Sequence, residues 1–166
     1  MMIHIQIKVK SMEKYSIKIF KILLVLITVF ILTLSIIGLI SIIQDPVNPT
    51  YRYILYPILI AIYLSTILIY LSFYQTWIFL TYIEKDLIFM TSSISCMHQI
   101  KIYGLIFSAI YIIALPFFYL LANADDAPGV IFVGMTPLVL GILVYLFADI
   151  FKKIIQKGIH IQSINS

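Results

Sequence analysis

The sequence predicts an all-α integral membrane protein: a four-helix bundle in up-down-up-down order, with both termini cytoplasmic. Three observations predict it. Four stretches free of charge, 22–43, 53–83, 102–121 and 127–148, are each long enough to cross a bilayer. Its hydrocarbon core of roughly 30 Å takes about 20 helical residues. Ten of the 11 basic residues fall in alternate segments between these stretches. Finally, 63% of residues are hydrophobic and 11% are charged, against about 25% charged in a soluble domain. One small core cannot hide that much apolar surface, so lipid must solvate it. The chain is then a single membrane domain over residues 1–166.

The first span, 22–43, is 22 residues long. A secretory signal core is roughly 7–15 residues, and no small-x-small cleavage site follows, so this span reads as an uncleaved anchor. The second stretch is 31 residues, more than one perpendicular crossing needs. Its span runs over about 54–77 and then continues as helix along or beyond the inner interface. A short loop with Asp45, Pro46 and Pro49 joins spans one and two. The third span covers 102–121 and the fourth 129–148. They are joined by Asn123, Ala124, Asp125, Asp126, Ala127, Pro128 and Gly129, with Pro128 suited to a first helical turn and Asp126 placed to cap it. Short loops force antiparallel neighbours. Between spans two and three, residues 84–101 space Leu87, Met90, Ile94 and Met97 as a cytoplasmic amphipathic segment against the inner leaflet. The tail from Phe151 extends helix four and breaks at Gly158.

Orientation follows from counting lysines. Lys8, Lys10, Lys14, Lys18 and Lys21 precede span one, Lys85 and Lys101 lie in the middle segment, and Lys152, Lys153 and Lys157 follow span four. The other two loops hold Arg52 against Asp45, Asp125 and Asp126. The positive-inside rule therefore puts both termini in the cytoplasm and the protein in the plasma membrane. Tyr51, Tyr53 and Tyr56 then mark the outer interface, and Tyr74, Trp77, Tyr82 and Tyr103 the inner one.

Candidate sites are few. Arg52, Asp125 and Asp126 share the outer side, where an Arg52–Asp pair would tie the two loops together. Tyr56, Tyr63, Tyr70 and Trp77 recur every seven residues, which keeps them on one face of helix two. That stripe is either a groove for a lipid tail or peptide, or a packing seam. In both cases the deep hydroxyls of Tyr63 and Tyr70 need partners inside the protein. Asp149 stands three and four residues before Lys152 and Lys153, as in a local ion pair. Gly134 and Gly141 share a face that permits close helix approach. Pro116 and Pro137 should kink helices three and four or loosen a turn.

No catalytic residues, cofactor or metal site can be assigned. Cys96 and His98, two apart, point to opposite sides of a helix, and His4, His98 and His160 have no ligand spacing. The +4 charge sits beside the spans, where topology accounts for it, so direct nucleic-acid binding is not indicated.

Several groups of residues carry a family resemblance: Tyr56-Pro57-Ile58-Leu59-Ile60, Tyr82-Ile83-Glu84-Lys85, Leu115-Pro116-Phe117-Phe118-Tyr119-Leu120, Asp125-Asp126-Ala127-Pro128-Gly129 and Lys153-Ile154-Ile155-Gln156. From about Tyr53 onward the chain resembles a family of small bacterial four-span membrane proteins catalogued as domain of unknown function 2975. Helix one resembles only a generic anchor. The resemblance implies a single-domain membrane protein without an assigned reaction, in a family often encoded beside a small helix-turn-helix regulator.

The expectation is a non-enzymatic membrane protein that acts through a protein partner such as that regulator. Two alternatives are self-protection against a membrane-active peptide, which the acidic outer loops would suit, and a subunit of a small permease or channel. The topology is open to test in a Cys96→Ser background. A cysteine introduced beside Asp126 should react with an impermeant maleimide on intact cells, and one beside Lys85 or Lys153 should react only after lysis. The opposite pattern overturns the orientation.

Overall fold

The computed structural model describes residues 2–44 and 51–164, with side chains over 15–41 and 51–161. The 45–50 loop and the side chains of His4, Lys8, Lys10 and Lys14 lie outside the described residues. Four helices form: α1 (Met2–Gln44), α2 (Arg52–Glu84), α3 (Thr91–Ala124) and α4 (Gly129–Ile164). Their lengths of 43, 33, 34 and 36 residues each exceed the about 20 that a bilayer requires. All four are long and apolar enough to cross a membrane. Helix is the form these sequences must take in lipid, because it satisfies every backbone N–H and C=O within the segment. The side-chain hydroxyls follow the same rule. Thr28, Ser35, Thr66, Thr76 and Thr136 each donate to the carbonyl four residues back, at 2.7–2.8 Å.

Helices α2 and α3 end in the same turn. At the end of α2, the Leu87 N–H donates to the Tyr82 carbonyl at 2.9 Å and the Asp86 N–H to Ile83 at 3.1 Å, with Asp86 at φ 58°. At the end of α3, the Ala127 N–H donates to Ala122 at 3.0 Å, with Asp126 at φ 52°. This is the left-handed helix stop, here built on aspartate where glycine is usual. Asp126 therefore terminates α3 and is not the cap of helix four. In the first turn of α4, the Val130 and Ile131 N–H groups bond instead to the Ala127 and Pro128 carbonyls.

Two further expectations change. Residues 91–101 are the opening turns of α3, continuous with its span, and do not form a separate surface helix. Met97 and Ile100 are buried against Ala148 and Ile155 of α4, so protein rather than lipid covers the apolar face. Helix α4 also runs unbroken through Gly158. The glycine makes room for the Phe89 ring, which a Cβ at 158 would strike. Helices α2, α3 and α4 likewise continue through Pro57, Pro116 and Pro137.

Helix contacts run between sequence neighbours: α1 with α2, α2 with α3, and α3 with α4, the last pair being the most extensive. Among the described residues, the α1 and α4 backbones do not pack closely on one another. Antiparallel packing makes two core clusters. Ile54, Ile58 and Ala61 of α2 meet Tyr111, Ala114 and Phe118 of α3 toward the acidic end, and the Met97–Ile155 cluster lies at the lysine-rich end. Between them, α3 and α4 cross on glycine. A Cβ on Gly104 would lie 3.0 Å from the Gly141 carbonyl, and one on Gly141 would lie 2.8 Å from the Phe107 ring and run into Ser108 Oγ. By contrast, α1 is held lightly: Leu24 is its buried residue, while Ile22, Phe30 and Ile37 among others are exposed.

Gly141→Ala should therefore cost about 1–3 kcal/mol through overpacking. Gly129→Ala, which meets nothing within 4 Å, should change stability by less than about 0.5 kcal/mol. Thermal unfolding of the two variants in one detergent compares them directly.

Candidate functional site

Polar chemistry concentrates at the lysine-rich end, where α1 and α3 begin their spans and α2 and α4 finish theirs. The Lys21 ammonium donates to Glu84 Oε2 at 2.7 Å, with side-chain exposures of 13% and 30%, and lies 5.2 Å from the centre of the Trp77 ring. This one lysine ties α1 to α2 by charge and by a cation–π contact. On the other pair of helices, Lys101 donates to Asp149 at 2.6 Å and stands 4.9 Å over the Tyr145 ring. Lys153 reaches the second oxygen of Asp149 at 2.8 Å. The expected local pair on α4 is thus half present: Lys153 keeps it, Lys101 of α3 joins it, and Lys152 turns to donate to His98 Nδ1 at 3.4 Å.

The cross-helix pairs have a signal in the sequence. Lys21 is the last charge before span one and Glu84 the first after span two; Lys101 and Asp149 bracket spans three and four in the same way. Antiparallel neighbours bring such bracketing residues to one depth, where opposite charges meet.

The aromatic stripe is divided. The Tyr63 hydroxyl donates to the Ser35 carbonyl of α1 at 3.3 Å, beside Gly38, and Trp77 meets Lys21. Tyr56 is exposed. The Tyr70 hydroxyl is buried and has no hydrogen-bond partner among the described residues, contrary to the expectation of an internal partner. Other hydroxyls of α2 and α3 are engaged elsewhere. Thr66 bonds its own helix, Ser108 donates to Gly104, and Tyr111 pairs with Ser65 at 3.2 Å. Because Ser65 gives its proton to the Ile62 carbonyl, Tyr111 is the donor in that pair. Phe107 packs against Tyr111 in a tilted pair with ring centres 5.1 Å apart.

At the opposite end, Arg52, Asp125 and Asp126 are all exposed, and Arg52 makes no ion pair with either aspartate among the described residues. Buried Cys96 and exposed His98 do not combine, and among the described residues no group of three His, Cys, Asp or Glu side chains is placed to hold a metal ion. On the lysine-rich side of the spans' middle lies an apolar cavity of about 310 Å3, walled by all four helices through Ile31, Leu68, Phe73, Phe107, Leu140 and Val144.

These features define a four-helix membrane protein with charged groups at its helix ends and hydrocarbon within. The chain belongs to the family described as Protein of unknown function (DUF2975), whose model matches residues 39–165. It is 33% identical over 156 residues to the uncharacterized membrane protein YoaS of Bacillus subtilis (strain 168), covering 93% of this chain and 98% of that protein. With 93% of this chain covered, that match takes in most of α1, whereas the family model begins at residue 39. No solved structure matches the chain.

If Lys21 and Glu84 fasten α1, a double-mutant cycle with Lys21→Met and Glu84→Gln should give a coupling of about 1 kcal/mol. Asp149→Asn should lower the unfolding temperature more than Lys153→Gln, since Asp149 serves two lysines and Lys153 is 69% exposed.

Proposed function

We propose that the protein is a non-enzymatic membrane protein that works by presenting a folded helical platform to a protein partner at its lysine-rich end. The single observation that supports this reading best is the length and packing of α3 and α4 beyond their spans. Residues 91–101 and 149–161 would project about 15–20 Å past the hydrocarbon at 1.5 Å per residue. They stay packed on each other through Met97, Ile100, Ala148 and Ile155, with Phe89 seated on Gly158. An anchor alone has no use for such order outside the bilayer.

The exposed side of this platform carries Lys153, Gln156, Lys157 and His160 at helical spacing along a shallow groove. A basic stripe suits an acidic face on the partner. On this reading both termini are cytoplasmic, the membrane is the plasma membrane, and the partner is a small regulator of the helix-turn-helix class. The protein would hold that regulator at the membrane and would not contact nucleic acid itself.

The test is capture of a helix-turn-helix regulator from the same bacterium by the full chain in detergent extract. Wild type should retain it, and Lys153→Glu with Lys157→Glu should weaken retention about tenfold or more, in the range of a lost charge-complementary contact. Equal retention by both forms, or none by either, removes the proposal.

A further inference from the structure

We propose that the cavity between the four helices is a binding site for one hydrocarbon chain, the acyl tail of a membrane phospholipid. The inference stands on the cavity's size, walls and opening, and is independent of the partner reading. About 310 Å3 gives room for about ten groups of water or methylene size, at about 30 Å3 each. Water is a poor occupant, because a buried water wants 2–4 polar partners. The walls are mostly Ile, Leu, Val and Phe, and the lining residues with a side-chain hydroxyl are Ser72 and Tyr103. Left empty, the lining would lose dispersion contacts along its whole surface.

Access follows from the helix arrangement. Helices α1 and α4 each supply a wall, through Ile31 and through Leu140 and Val144, yet their backbones do not pack closely on one another. No helix contact closes that side, and what lies outside it is bilayer hydrocarbon at very high local concentration. The depth selects the leaflet. On α3 the cavity begins at Tyr103, two residues from Lys101, and on α4 it reaches Val144, five residues before Asp149. A tail entering here therefore belongs to a lipid of the leaflet on the lysine-rich side. Its seat lies between the two core clusters.

The test uses the full chain in liposomes containing a phospholipid with a photoactivatable diazirine at mid-chain, followed by peptide mass spectrometry. Wild type should form adducts on the inward-facing Ile69 and Phe107 as well as on the outward Ile113 and Phe132, which are 72% and 71% exposed. Val144→Phe narrows the cavity and should lower the Ile69 and Phe107 adducts by about fivefold or more while the outward adducts stay constant. Leu140→Phe should do the same from a neighbouring wall position, so the result does not hang on one variant. Unchanged outward labelling and helicity show that the fold survives. Wild-type adducts confined to Ile113 and Phe132 would mean the cavity is closed or filled by protein, and would overturn the proposal. Inward adducts that neither variant reduces would overturn it equally.

Discussion

A bilayer core offers no hydrogen-bond partner, and nearly everything in this structure follows from that. Each polar group left unsatisfied in hydrocarbon costs several kcal/mol. The backbone therefore closes on itself as helix, and serine and threonine hydroxyls turn back to the preceding turn. Charges are expelled to the helix ends, where Lys21 finds Glu84 and Lys101 finds Asp149. Among the described residues the hydroxyl of Tyr70 is the exception, buried without a partner beside a seam where Tyr63 has one.

Within lipid the hydrophobic effect does not draw helices together, so packing falls to close fit and to polar ties. The two modes divide the molecule. Helices α3 and α4 associate by fit: Gly104 and Gly141 let backbone meet backbone, and Gly134 accepts Phe118. Helix α1 is fastened by ties, with a carbonyl taken by Tyr63 near its middle and Lys21 at its end. A rigid pair and a tethered outer helix thus share one bundle, and the cavity lies where these two kinds of packing meet.

The same constraint shapes the functional reading. The four spans carry no Asp, Glu, Lys or Arg, and the charged groups stand at the helix ends. At the acidic end Arg52, Asp125 and Asp126 stand exposed and separate. The lysine-rich end is built: ion pairs, an aromatic lid on each of two lysines, and helices that stay packed beyond the span. Order at that end and hydrocarbon in the middle are what a partner and a lipid would respectively recognise.

Sequence alone determined the four helices, their approximate spans and the segregation of lysines, because these depend on local composition and on the length needed to cross lipid. It also placed Gly141 correctly as a point of close approach, from its position on a helix face. Tertiary structure alone decided the rest. Whether Asp126 caps one helix or ends another depends on a backbone angle, whether Gly158 breaks a helix depends on Phe89 lying against it, and whether Met97 faces lipid or Ile155 depends on α4 running alongside. The cavity belongs to no segment at all. It exists only because four helices, each legible singly, meet without filling the space between them.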